Sequence, residues 1–389
     1  MPEATDHYRH HHKPSHTKAP FPHVNTTQRY IPATLPTAAE KTTRRAPRAF
    51  HVWRSRDNRK GRHALVVAPE YVTEGRHEGP RLSAHWREVL RGIAKMFLRY
   101  PVWDISYDVA AIFTIGSVIW VINGFFSWLP LAAPSTTFHG EATWGGGVTA
   151  LVGATVFEVG SVLLMLEAVN ENRADCFGWA VEESLDGLLK LHSTHSCRHH
   201  HAQTRTFVQH PLTSEHIPTK AGQGRTWSWL PTWHELRTHY IRDLGFLASS
   251  AQLLGATIFW IAGITAIPPI LSGFSTPAEN GLYWFPQVLG GVGFIVSGFL
   301  FMVEVQPHWY MPAPRVLGWH IGFWNLVGAI GFTLCGALGF SAQREGVEYA
   351  LTLATFIGSW AFLIGSVIQL YESLNKYTLW VVKDPSKYA

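Results

Sequence analysis

Cysteine is nearly absent, with only Cys176, Cys197 and Cys335 in 389 residues. A disulfide-stapled scaffold is therefore not expected. Charge is sparse as well: 15% of the residues are Asp, Glu, Lys or Arg, and none of those between Asp243 and Pro314 is Lys or Arg. The His-, Pro- and Arg-rich stretch before the first apolar run does not read as a secretory leader, so none is expected and the first span is expected to act as its own insertion signal.

What the chain does have is long apolar runs. Mean hydropathy is close to neutral, but it averages two kinds of sequence. Six stretches, roughly 106–128, 147–168, 243–267, 282–304, 316–339 and 349–371, are each long enough to cross a hydrocarbon core of about 30 Å as a helix. Nineteen Lys and Arg lie at residues 1–105 and eight between Arg173 and Arg242, with Arg315, Arg344 and three after Glu372 making up the rest. By the positive-inside bias, both termini and the 169–242 loop are expected in the cytosol.

One pattern recurs three times: Gly153-x3-Phe157-x2-Gly160-Ser161-x5-Glu167, Gly290-x3-Phe294-x2-Ser297-Gly298-x5-Glu304 and Gly358-x3-Phe362-x2-Gly365-Ser366-x5-Glu372. Each copy follows another apolar stretch with its own pattern: Gly116-x3-Trp120-x3-Gly124, Gly255-x3-Phe259-x3-Gly263 and Gly328-x3-Phe332-x3-Gly336. The expected fold is all-α, a polytopic membrane protein with six transmembrane helices as three tandem two-helix repeats. Either spacing puts its Gly and aromatic residues on one helix face, so an aromatic ring of one helix can fill the glycine notch of another.

The expected organisation is as follows. Residues 1–80 form a disordered basic, His-rich cytosolic tail, and 81–100 an amphipathic interfacial helix. Helix pairs occupy 101–170, 233–306 and 307–375. A cytosolic loop with one amphipathic helix spans 171–232, and 376–389 is a cytosolic tail. In the interfacial helix Leu82, Trp86, Leu90, Ile93 and Phe97 fall at helical spacing, with Arg87, Arg91, Lys95 and Arg99 on another face. Residues 82–99 are therefore expected on the anionic cytoplasmic leaflet. In the loop, Trp179, Val181, Leu185, Leu188 and Leu189 share a helix face.

Few polar groups lie within the spans. Glu167, Glu304 and Glu372 end the even spans, where the helix dipole disfavours an anion. Arg242 and Arg315 each precede the first motif glycine of their odd span by 13 residues. The expectation is a set of Glu–Arg clamps closing the hairpins, with a charged ring at a pore mouth as the functional alternative. Repeat one has Trp103 at that position and Arg99 upstream. Asp104 and Asp243 are expected to be solvated at headgroup level. Glu158 falls near the middle of span two, where an ion is costly unless partnered, and Asn123 is the expected partner across the hairpin.

Histidine tracts raise a metal-enzyme reading, since His7-x2-His10-His11-His12 and His195-x3-His199-His200 are similar to boxes of membrane di-iron desaturases. They fall in the expected tail and linker, so catalysis is not expected. Zinc at His195, Cys197, His199 and His200 is the one cofactor candidate. Beyond the lipid bilayer, a homo-oligomer is the candidate partner, and nucleic acid is not.

Phe157-Glu158-Val159-Gly160-Ser161 and Phe362-Leu363-Ile364-Gly365-Ser366 resemble the F-x-x-G-S signature of YrhK-like two-helix membrane domains. The 233–375 stretch, including Trp233-His234-Glu235-Leu236-Arg237 and Gly318-Trp319-His320-Ile321-Gly322-Phe323-Trp324-Asn325, resembles filamentous-fungal integral membrane proteins with no assigned activity. Neither resemblance implies catalytic residues. The P-x-[DE]-x-x-[KR] signature of mitochondrial carriers, which also have three helix pairs, is missing. The functional expectation is a non-catalytic membrane organiser or sensor. A small-solute, ion or proton transporter or channel is the alternative, and a His-dependent metal enzyme comes third.

Overall fold

In the computed structural model, residues 17–32, 49–67, 85–189 and 227–381 are described. The chain begins with strands β1 (Thr17–Lys18), β2 (Gln28–Pro32) and β3 (Ala49–Arg54), the short helix α1 (Ser55–Arg59) and strand β4 (His63–Val67). Helix α2 (Trp86–Leu98) precedes the first span, α3 (Ile105–Ala132). Next come α4 (Gly147–Val169), entered through a wide helical turn at Glu141–Gly146, then α5 (Phe177–Leu189) and α6 (Trp233–Thr238). The remaining spans are α7 (Leu244–Thr265), α8 (Phe285–Glu304), α9 (Leu317–Gly339) and α10 (Val347–Leu374), and strand β5 (Tyr377–Val381) follows.

Six helices are long and apolar enough to cross a membrane, and the protein is a mostly helical polytopic membrane protein. Backbone groups in hydrocarbon must pair within their own segment, so helix is the only form these runs can take as separate spans. Each spanning helix packs on its neighbours in sequence, and α10 packs back on α3, so the six form a closed ring. Ile115, Val118, Val152, Val159, Leu254, Val292, Val296, Ile330, Leu334, Ile357 and Val367 stay exposed on its outside, as suits side chains that face lipid rather than water.

Inside the ring, Trp120, Phe157, Phe259, Phe294, Phe332 and Phe362 form one buried cluster, one ring from each helix. Trp120 and Phe332 approach to 4.8 Å between centroids, Phe332 and Phe362 to 5.3 Å, and Phe157 and Phe362 to 5.6 Å, all edge to face, the arrangement the aromatic quadrupole favours. Glycines make room for them. A Cβ on Gly116 would meet the Phe157 ring, one on Gly153 Trp120, one on Gly328 Phe362 and one on Gly358 Phe332, while one on Gly290 would meet the Gly255 carbonyl and the Cβ and backbone N of Phe259.

The inverted Ser297-Gly298 order has a structural counterpart. Gly160 and Gly365 face the odd helix of their own pair, at Ile112 and Phe113 and at Asn325 respectively, whereas Gly298 meets the backbone of Leu326 on α9, the following helix. Gly322 reciprocates by lying against the Met302 backbone, so α8 and α9 cross with little between their main chains.

Beyond the ring, β1–β2–β3–β4–β5 make one sheet in that order, antiparallel throughout except for the parallel β4–β5 pair. His63 aligns with Tyr377 and Val67 with Val381, so the chain entering the bundle and the chain leaving it meet at one end. Disorder was expected throughout 1–80, and this is corrected for 17–32 and 49–67. Phe50 and Val52 on β3 pack with Tyr30, Ala64 and Val66 in a small core of their own. Likewise 377–381 is a strand rather than a free tail. Helix α2 docks through Gly92, whose Cβ would meet Tyr371 and Asn375, while Trp86, Leu90, Phe97 and Leu98 remain exposed.

Candidate functional site

The site lies where the even spans end. Glu167, Glu304 and Glu372 occupy one position of the recurring pattern, and each is at most 2% exposed. A carboxylate at a helix C-terminus, removed from water, requires a cation. Four are supplied by the turn formed by α1 and the residues after it, Ser55-Arg56-Asp57-Asn58-Arg59-Lys60-Gly61-Arg62.

Glu304 is held by Arg59 in a two-pronged pair, Nη1 to Oε1 at 2.5 Å and Nη2 to Oε2 at 2.8 Å, and also accepts from Ser55 Oγ at 2.7 Å. Glu372 accepts from Arg56 at 2.8 Å and from Arg62 at 2.7 Å. Glu167 accepts from Lys60 Nζ at 3.1 Å and from Ser106 Oγ at 2.6 Å. Asp57 accepts from Arg62 at 2.9 Å and so braces the turn from within. Outside the charged cluster, Asn58 donates to Glu171 at 2.9 Å, and its carbonyl accepts from Asn172 N at 2.8 Å.

The odd spans shape the pockets. Gly245 and Gly318 each stand ten residues before the first motif glycine of their span, and the corresponding residue of α3 is Ser106. A Cβ on Gly245 would overlap the Arg59 guanidinium, and one on Gly318 would lie 2.6 Å from Arg56 Nε. Arginine thus enters where the odd helix has glycine. The thinner lysine enters beside a serine whose hydroxyl shares its carboxylate. Each pocket combines an even-span glutamate with a small odd-span residue, and each holds a different cation of one turn.

Electrostatics differ among the pockets. Burial opposes the charge on Arg59, but Glu304, with help from Asp243, outweighs it and holds the guanidinium above its usual range. Arg62 is raised in the same way, burial being outweighed by Glu372 and Asp57. Lys60 goes the other way: burial pulls it below the usual lysine range, and Glu167 offsets this only in part.

The clamps expected from Arg242 and Arg315 are not what the structure contains. Both side chains are exposed, and among the described residues neither pairs with the glutamates. The receiving position lies three residues further on, and the cation comes from 107 to 316 residues away rather than from the neighbouring helix. Asp104 and Asp243 are buried helix caps, accepting from Ser106 N and Phe246 N, rather than solvated groups. Burial raises both above the ordinary aspartate value, against the opposing pull of Lys376 on Asp104 and Arg59 on Asp243. Glu158 does not meet Asn123. It accepts from Thr257 Oγ1 at 2.9 Å on α7, and its other oxygen is buried with no partner among the described residues. Asn123 instead donates to Gly146 O at 2.7 Å and Thr149 Oγ1 at 3.0 Å, fixing the entry to α4. His195, Cys197, His199 and His200 lie outside the described residues.

Ring and site together define a multi-pass helical membrane protein whose bundle is closed at one end by a basic turn of its own chain. Compared with protein-family models, with characterised proteins and with solved structures, the chain matches none.

Proposed function

We propose that the protein is a non-catalytic membrane organiser or sensor, built from three tandem helix pairs, with both termini in the cytosol and the basic turn sealing the cytosolic end of the bundle. One observation carries the reading. The axis that a solute would have to follow is filled by the six-ring cluster, and the end beyond it is filled by Arg56, Arg59, Lys60 and Arg62. The exposed apolar and basic faces of α2 support contact with anionic headgroups. The pattern recurring at 153–167, 290–304 and 358–372 supports the tandem arrangement.

The Glu158 oxygen that has no partner among the described residues favours a second reading, proton-coupled transport along the α4–α7 seam. Reconstituted vesicles separate the two. An organiser gives no pH-driven flux above protein-free vesicles, and Glu158→Gln changes nothing. A transporter gives a flux that Glu158→Gln abolishes at unchanged abundance. For sidedness, a cysteine replacing exposed Arg242 is expected to label only after permeabilisation and one replacing Thr137 from outside, and the opposite result would invert the topology.

A further inference from the structure

The sheet that carries the basic turn has its own apolar core, and among the described residues no side chain of the bundle belongs to it. Among the described residues, named polar contacts join it to the bundle: the ion pairs, the Asn58 bonds to Glu171 and Asn172, Asn25 to His239 and Arg242, and the β4–β5 ladder, while Arg59 also lies over the Phe301 ring and Leu65, Val67 and Leu379 are buried outside that core. Apolar docking of such a module would be hard to reverse. Ionic docking is different, because charges leaving a buried site regain their hydration, and the net hold of a buried pair is small beside its gross attraction. Lys60, the cation least favoured in its charged state, is the weak member of the set.

The pockets are also more specific than charge alone requires. Glycine at 245 and 318 admits a planar guanidinium, and Ser106 occupies that volume in the pocket of Lys60. The pattern Arg-x2-Arg-Lys, with a serine just before it to reach Glu304, is thus written into the bundle as well as into the turn. We propose that the three pockets form a docking site for a basic peptide of that spacing, with residues 55–62 as its resident, exchangeable occupant. The β4–β5 ladder keeps the turn tethered when it leaves. The proposal rests on the organiser reading, since it names the class of partner such an organiser would bind.

The test uses the full chain in lipid nanodiscs and a fluorescein-labelled peptide of residues 53–64, with binding read by anisotropy. Saturable binding is expected. Arg59→Ala in the peptide is expected to weaken it about tenfold or more through loss of the two-pronged pair. Lys60→Arg is expected to weaken it about fivefold, because the pocket beside Ser106 lacks the glycine notch. Arg54→Ala is expected to have no effect, since among the described residues Arg54 pairs with Asp57 and not with a bundle glutamate. In the full chain, Arg59→Lys loosens the resident turn while keeping its charge, and tighter peptide binding is expected. Absence of saturable binding to the native chain, or equal binding of the native and Arg59→Ala peptides, would overturn the proposal. Vesicle flux is a separate readout, so a failure of the organiser reading would be seen there and not in the anisotropy.

Discussion

Replacing Gly245 by alanine isolates the contribution of one pocket. In an ordinary helix the change is favourable, by about 1 kcal/mol, because alanine loses less backbone freedom. Here the new Cβ would occupy the volume of the Arg59 guanidinium. That group is the far end of a flexible side chain and can swing away, but only by giving up both bonds to Glu304, leaving a carboxylate that is 2% exposed with Ser55 alone. Stranding one member of a buried pair costs about 3–5 kcal/mol, so a net loss of about 2–4 kcal/mol is expected. Gly318→Ala displaces Arg56 but leaves Arg62 on Glu372, and a smaller loss is expected. Gly281→Ala, at a helical position where a Cβ meets nothing within 4 Å, is expected to be neutral or mildly stabilising. Thermal unfolding in detergent, followed by tryptophan fluorescence, gives the order. If Gly245→Ala melted with or above Gly281→Ala, the account of Glu304 as dependent on Arg59 would be refuted.

Three further outcomes test other parts of the structure. Gly298→Leu forces a side chain into the Leu326 backbone, which lies 2.9 Å from the new Cβ, and is expected to destabilise by about 1–3 kcal/mol, whereas Leu at exposed Val162 is not; equal melting of the two would discount backbone contact between α8 and α9. Asn123→Ala removes the donor to Gly146 O and Thr149 and is expected to cost about 1–3 kcal/mol, with faster hydrogen exchange at 141–149 as its local signature. Burial lowers His51 below the ordinary 6.5, outweighing the attraction of Asp57. The unfolded sheet therefore binds the proton more readily, and stability present above pH 6.5 is lost as pH falls below it, by up to about 1.4 kcal/mol per unit. Protection at 49–54, measured as exchange relative to the intrinsic amide rate at each pH, is expected to fall on acidification, and His51→Phe to remove that dependence.

The spans were readable because a bilayer leaves an apolar run little choice of conformation, and their observed limits fall within a few residues of those expected. The aromatic notches were readable because Gly116, Trp120, Gly153 and Phe157 recur at fixed spacing. The need of Glu167, Glu304 and Glu372 for cations was also legible, since each closes an apolar helix. The source of those cations was not. Helical spacing relates a residue to its own hairpin, and so pointed to Arg242 and Arg315. No period connects Glu372 to Arg56, 316 residues away. A clue was nevertheless available: four cations crowd into Arg56–Arg62, flanked by the β-rich runs Phe50-His51-Val52-Trp53 and Ala64-Leu65-Val66-Val67. The Pro- and His-rich composition of the surrounding tail masked it. Glu158 was similarly misassigned to Asn123, because its partner Thr257 lies on the next hairpin.

The β4–β5 ladder and the Arg56–Glu372 pair have a consequence for biosynthesis. The basic turn leaves the ribosome before any of the six spans, yet its third pocket does not exist until α10 has been made, and β4 has no β5 to pair with until later still. While the six spans are made the turn must wait, and the carboxylates that will receive it reach the bilayer one after another. Seating in all three pockets therefore waits until all six spans have been made. A product that stopped short of Glu372 would hold Arg56 and Arg62 without their acceptor, a defect by which unfinished copies differ from finished ones.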